Sequence, residues 1–354
     1  MYKYREACPM LKANPVVCES WTIGGQVSRA ISVASLALML IVALPAMAHH
    51  SNVIFDRDTE ITIRGAVTRY IWRNPHVYLY VEAPNAAGGM SEWQIEADPT
   101  PIMARSGWGR DSLAPGDPVI IRGYPDSTRP NEHALLISLA TSDGALLTMR
   151  SGGRDAPVAA DSIAGTWDGV RGSFTRTFNY GRLTEKGRAA QAAYDESMNP
   201  VIDCIPFPLP TIVSAPYMSE VEVLDDRILI RTEFYNVERT IWMDGRGHPD
   251  DGERTNQGHS IGWWEGDVLV VDTTLFTEYR AGNRSGIPSG FQKHVVERFS
   301  LSEDRTQLNV DYVVEDPEYM IDPMTGSIFW DYAPDREIEP FGCDEDNARL
   351  YAID

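Results

Sequence analysis

The most constraining feature of this sequence is a series of short apolar–polar alternations at close spacing. Seven of them follow one another: Met218–Leu224, Arg227–Glu233, Val237–Met243, His259–Trp264, Val268–Thr273, His294–Ser300 and Gln307–Val314. A period of two over such lengths marks strands with one buried face. Asp225-Asp226 and Glu303-Asp304 mark turns between neighbours. At Glu265-Gly266-Asp267 the turn is tight: Gly266 supplies the backbone freedom and Asp267 bonds to its own backbone. A further strand near Trp167 brings the number to about eight, which suits a closed or nearly closed antiparallel barrel able to hold one small ligand. The tail from Pro317 to Asp354 is aromatic and acidic, and is expected to pack over one end of that barrel.

The earlier part of the chain has a different order. Alternation predicts strands at Glu60–Trp72, Val77–Glu82 and Glu92–Ala97. A short helix is predicted at Thr100–Gly107, where Pro101 fits a first turn. Strands at Asp117–Tyr124 and Ala134–Thr141 follow. Three strands, a helix and two strands is the order of a five-stranded barrel of the oligonucleotide/oligosaccharide-binding (OB) type. The expected architecture is therefore all-β: a small OB-like barrel, then a lipocalin-like antiparallel barrel with one short helix at Leu183–Met198, for which Thr184 is the N-cap candidate. Residues 49–149 form the first domain and 163–354 the second. Between them, 150–162 carries Gly, Pro and charge without periodicity and reads as a linker.

Residues 1–48 are expected to leave before folding. Ile31–Leu44 is apolar and follows Arg29, and Ala46-Met47-Ala48 is a small-x-small cleavage signal, the pattern of a secretory leader. The apolar run is shorter than the roughly 20 residues of a spanning helix. The mature protein is thus expected to be periplasmic or secreted, with no membrane insertion after leader removal. The formal charge is −20, and losing the four cations and two carboxylates of the leader takes it to −22. Such a surface repels phosphate backbones and anionic lipid, which excludes nucleic acid as a partner class. Of four cysteines, Cys204 and Cys343 survive leader removal, and an oxidising compartment predicts that they pair.

Chemistry-bearing residues gather in the stretch Arg239–Thr274. His248 and His259 stand across a polar loop whose ends should lie close, and with Asp244 or Glu265 they would bind a metal or serve as acid and base on a small organic substrate. Their spacing matches no His-Glu-x-x-His signature. Arg246, Glu233, Arg239, Trp264 and Glu297 are ligand-binding candidates. If Glu233, Arg239 and Glu297 point inward they form a buried charge cluster, and buried charges need partners. Trp263 and Trp264 should face opposite ways, so that one can line the interior. A separate candidate is the expected mature terminus, His49-His50. Its α-amino group and imidazole form a chelate suited to copper(II), and His76 is the best-placed further ligand. No Gly-x-Ser-x-Gly elbow, phosphate-binding loop or dinucleotide fingerprint is present.

His49-His50-Ser51 with Phe55-Asp56, Gly65-x-Val67, Trp72-x-Asn74-Pro75-His76, Trp93-x-x-Glu96, Gly107-Trp108 and Pro115-Gly116-Asp117-x-Val119 together resemble a family of exported bacterial proteins of unknown function. The resemblance covers nearly all of His49–Met149. Asp244-Gly245-Arg246-x-His248-Pro249, Gly258-His259-Ser260-Ile261-Gly262-x-Trp264-Glu265-Gly266-Asp267 and Val296-Glu297-Arg298-Phe299 resemble a second set of uncharacterised exported proteins, over about Pro216–Pro317. Gly165-x-Trp167 is similar to the opening of lipocalin-type barrels, where the Trp closes the floor. Neither resemblance brings an activity with it. The expected function is binding of a small molecule in the second barrel, under the Asp244–Gly258 loop. Catalysis at His248 and His259 and copper binding at His49 stand as alternatives.

Overall fold

A computed structural model describes residues 54–85, 87–142, 144–149, 157–169 and 181–353. The leader, His49, His50 and residues 150–156 of the expected linker lie outside them. The first barrel is built from β1 (Ile61–Ile71), β2 (Tyr78–Pro84), β3 (Met90–Glu96), α1 (Thr100–Arg105), β4 (Pro118–Pro125), β5 (His133–Thr141) and β6 (Leu146–Thr148). The sheet order is β3-β2-β1-β4-β5-β6, and β3 also pairs with β5, closing a ring of five strands. A ring with an odd number of strands cannot alternate direction all the way round, so one pair must run parallel. Here it is β3 with β5. Inward positions carry Ile63, Val67, Leu79, Val81, Ile95, Val119, Ile121 and Leu136, all buried, as the alternation implied.

The second barrel comprises β7 (Gly165–Gly169), β8 (Met218–Val223), β9 (Arg227–Thr232), β10 (Val237–Trp242), β11 (His259–Glu265), β12 (Val268–Thr274), β13 (His294–Leu301), β14 (Gln307–Glu315) and β15 (Met324–Tyr332). These nine close in the order β10-β11-β12-β13-β14-β15-β7-β8-β9. The sequence pattern implied about eight antiparallel strands. The extra one is β15, which lies in what read as a covering tail. Nine is again odd, and the obligatory parallel pair is β10 with β11, overlapping at Ile241↔Ser260 and Trp242↔Ile261. A two-residue hairpin cannot join parallel neighbours, so the polar stretch 243–258 is the crossover that this topology requires. At its far end Gly258 has φ +71°, and a Cβ there would stand 2.5 Å from the Thr274 carbonyl oxygen.

The interior of this barrel is a filled core of side chains that include Trp167, Val221, Ile228, Leu269, Phe299, Leu308 and Trp330, all buried. Trp167 is completely covered and donates its indole N–H to the Ile163 carbonyl at 2.9 Å. The remaining helices are short: α2 (Glu185–Ala192), α3 (Thr211–Ser214) and α4 (Glu345–Ile353). α2 stops earlier than its pattern suggested, and Thr184 caps it by accepting from the Gly187 N–H at 3.0 Å. Among the described residues no helix is long and apolar enough to cross a membrane.

The two barrels are stitched together by the C-terminal segment. Cys204 and Cys343 form the expected disulfide, closing a loop of 139 residues. Beside it, residues of the Trp-x-Asn-Pro-His motif act as a clasp. The Asn74 amide is 1 % exposed, accepts from the Thr100 N–H at 2.8 Å, and donates to the Phe341 carbonyl. The Asp344 N–H donates to the Asn74 carbonyl at 3.2 Å, and the Asn347 amide donates to the His76 carbonyl at 2.8 Å. The motif therefore caps α1 and fastens the end of the chain in one place.

Candidate functional site

A cleft of about 1250 Å³ opens between the barrels. One side comes from the first barrel: the end of β3 with Glu96 and Asp98, Tyr124 and Ile137. The other is an aromatic wall that includes Phe207, Tyr217, Phe234 and Tyr235. Phe234 stacks on Tyr217 at 4.4 Å between centroids and on Phe207 at 5.9 Å. The three rings thus hold one another in place. Three non-glycine residues of the lining, Tyr235, Arg284 and Ser285, sit in the left-handed region at φ 57°, 67° and 47°. Backbone strain of that kind costs about 1–3 kcal/mol per residue and clusters at binding and active sites. The Thr211 hydroxyl, also in the lining, is buried without a hydrogen-bond partner.

The cleft wall is keyed to the first barrel by Glu233. Its carboxylate is wholly buried and accepts from Arg105 at 2.6 Å, from the Met218 N–H at 3.1 Å and from the Glu339 N–H at 3.1 Å. That partner set separates Glu233 from Arg239 and Glu297, with which the sequence had grouped it. Those two do point into the second barrel. The Arg239 guanidinium donates to Glu297 at 2.5 Å, to the Thr273 hydroxyl at 2.8 Å and to the Ser260 hydroxyl at 3.0 Å. They are 4 % and 0 % exposed. Both belong to the buried interior of the second barrel, and the cleft described above lies outside it.

The histidines of the crossover are brought together, with partners the sequence did not single out. His248 Nδ1 lies 2.9 Å from His259 Nδ1, and His248 Nε2 lies 2.9 Å from Asp272 Oδ1. The other oxygen of Asp272 meets His294 Nε2 at 3.0 Å, and His294 Nδ1 meets Glu315 at 3.4 Å. The result is a line of side chains across the outer face of β11, β12, β13 and β14, with His248 reaching in from the crossover. Burial, and then the positive fields of His248 and Arg246, hold the His259 pKa below its ordinary value. The bond to Asp272 holds that of His294 above it. For Asp272 burial acts upward, but the bonds from His294 and His248 outweigh it and the carboxyl stays below the usual range.

Asp244 and Glu265 do not join this line. Asp244 is paired with Arg246 within its own turn, Nε to Oδ1 at 2.8 Å, and the Arg246 guanidinium lies 3.8 Å over the Trp242 ring. Glu265 accepts from Arg298 at 2.8 Å and from the Trp263 indole at 3.1 Å. Trp263 and Trp264 are 42 % and 45 % exposed, so neither lines the interior. Trp264 has the inward parity but sits beside the tight turn, where the barrel wall ends.

In the first barrel, His76 Nδ1 lies 3.2 Å from Glu96, and His133 Nε2 lies 3.9 Å from the other oxygen of the same carboxylate. His133 is 1 % exposed, its Nε2 has no hydrogen-bond partner, and its Nδ1 lies 3.0 Å from Asp126. Glu96 entered the sequence reading only as the end of the Trp93-x-x-Glu96 motif, and Asp126 and His133 were not singled out, their only signal being polarity at strand ends. Among the described residues no three His, Cys, Asp or Glu side chains converge on one metal position.

The model of a family of unknown function, DUF6152, matches residues 37–134. That span reaches the start of β5 and includes the Asn74 clasp. No curated protein matches the chain. Among solved structures, a point mutant of the fluorescent protein UnaG is similar at 12 % identity. The match covers 48 % of this chain and 95 % of that one, with a TM-score of 0.24. At that score the barrel assignment rests on the strand pairing described above.

Proposed function

We propose that this is an exported small-molecule-binding protein whose ligand occupies the cleft between the barrels. The observation that carries the reading is the cleft itself: about 1250 Å³ between a stacked aromatic wall and the polar end of the first barrel. Ligand sites favour such interfaces, with largely apolar walls and a few placed polar groups. The neutral dye Nile red tests it, because its emission reports transfer to an apolar site. The dye is expected to bind stoichiometrically and to lose at least about tenfold in affinity in Ile137→Trp, which fills the cleft. Unchanged affinity in a variant with native circular dichroism overturns the reading. For export, fractionation of the source cells and amino-terminal sequencing should return a chain beginning at His49 in the periplasm or medium.

One observation supports a second reading, copper at the mature terminus. Ile54 and Phe55, the first described residues of the chain, are fastened beside His133. The Ser127 N–H donates to the Ile54 carbonyl at 2.7 Å, and the Phe55 ring lies 5.0 Å from the His133 ring. A terminal amine and imidazole chelate entering there would meet His76 and His133 around Glu96. Copper(II) titration followed by electron paramagnetic resonance tests it: a stoichiometric nitrogen-ligated site lost in His49→Ala supports copper, and no tight site on the processed chain ends the idea.

A further inference from the structure

The segment 207–217 gives the cleft Phe207, Thr211, Ala215 and Tyr217, and Thr211 opens α3 in the middle of it. The hydroxyls around Thr211 are matched inside the protein. In the same helix the Ser214 hydroxyl reaches the Pro210 carbonyl at 2.9 Å and the Thr211 carbonyl at 3.1 Å. On the cleft wall Tyr194 donates to Glu196 at 2.9 Å and Tyr235 to the Val201 carbonyl at 3.3 Å. The Thr211 hydroxyl has no partner among the described residues, and the residue is 7 % exposed. The carbonyl four residues back is the ordinary acceptor for a helical threonine. Here that carbonyl belongs to Phe207 and accepts from the Gln257 amide at 2.9 Å.

An unmatched hydroxyl in a covered position costs the free protein stability, and native folds keep few of them. Valine has nearly the shape of threonine and fills the same space without that cost. A use for the hydroxyl is therefore to be sought in another state, and the place of Thr211 in the lining points to the cleft with a ligand in it. The oxygen is covered in the free protein, and a turn of about 120° about χ1 exchanges it with the methyl. Threonine in a helix divides between two such wells, so the turn is open to it. A hydrocarbon leaves the hydroxyl where it is. A ligand with an oxygen acceptor draws it out and gives it the bond it lacks. One such bond separates ligands of the same shape by whether they carry the acceptor.

We propose that Thr211 is the specificity-determining residue of the cleft, its hydroxyl donating to a carbonyl, ester or ether oxygen of an otherwise apolar ligand. The proposal rests on the cleft being the ligand site.

The test uses the full processed chain and two dyes. Nile red carries a ring carbonyl; 1,6-diphenylhexatriene is a hydrocarbon with no polar atom. In Thr211→Val, Nile red should lose about fivefold in affinity, the worth of one neutral hydrogen bond, and its emission should shift to the blue as its carbonyl loses a donor. Diphenylhexatriene should change by less than about twofold, since it makes no such bond. Thr211→Ser keeps the hydroxyl and should keep the Nile red affinity. The urea midpoint of Thr211→Val without dye should equal or exceed that of the wild type, because no bond is lost. Nile red binding that does not change in Thr211→Val, or that weakens together with diphenylhexatriene, overturns the proposal and leaves the cleft reading standing. A lower urea midpoint in Thr211→Val overturns it too, because the hydroxyl then has a partner in the free protein. Failure of both dyes to bind the wild type overturns the cleft reading and this proposal with it.

Discussion

Replacing Arg239 by Met removes the sole cation of the second barrel's interior pair and leaves Glu297 with 0 % exposure. Glu297 would keep its charge in a packed apolar shell or take up a proton, and Ser260 and Thr273 would each lose a donor. Breaking a buried pair from one side costs about 3–5 kcal/mol, because an uncompensated charge remains. For a chain of this size that corresponds to a fall in Tm of about 10 °C. The companion variant, Glu297→Met, strands the Arg239 guanidinium and should lose a similar amount. The double variant Arg239→Met/Glu297→Met replaces both charges by apolar groups of comparable volume and should recover most of the loss, since well-packed hydrophobic replacements of buried pairs are about neutral. Urea denaturation followed by tryptophan fluorescence and circular dichroism gives all four corners of the cycle. Arg239→Met losing less than about 1 kcal/mol, or a double variant losing the sum of the singles, would refute the account of the pair as a mutually dependent unit in the core.

Other outcomes follow from the same structure. Lys293 is fully buried and bonded to the Leu209 and Gly282 carbonyls, and burial brings its pKa down to about 7 against a small opposing effect of Asp316. The unfolded chain keeps that proton to about pH 10.4, so stability should rise by about 1.4 kcal/mol per unit between roughly pH 7 and 10 and the slope should vanish in Lys293→Met, as read by denaturation across that range. Asn74→Ala should cost about 2–4 kcal/mol by thermal melting, because it leaves the Thr100 N–H and the Phe341 carbonyl without their partner. Reducing Cys204–Cys343 should cost about 5 kcal/mol in the chain-entropy account, measured by denaturation with and without reductant.

Most strands of both barrels were legible, because apolar side chains at alternate positions leave a pattern that survives without neighbours. β15 was not, and the reason is local. Its inward positions run Met324, Gly326, Ile328 and Trp330, and the glycine opposite Tyr312 interrupts the apolar series. His248 and His259 were legible as a pair, since they flank a loop. Asp272 and His294 were not, because they occupy outward strand positions, where a polar residue is the ordinary expectation. Only the register that sets Asp272 opposite Ile261 and Val296 reveals that they line up. The cleft was out of reach for a stronger reason. Its walls come from segments as far apart as Glu96 and Ala348, and no single stretch encodes their meeting.

The clasp at Asn74 carries a consequence for how the protein comes into being. Its partners, Phe341 to Asn347, lie some 270 residues further along the chain, beyond every strand of both barrels. The first barrel can close its own ring early, but the carbonyl that Asn74 needs, and the cysteine that Cys204 needs, arrive only after the last strand of the second barrel. A chain stopped before Phe341 would hold the strands of both barrels and the Arg105–Glu233 pair between them, and still lack this clasp. The clasp can therefore close only after β15, the last strand, has been made.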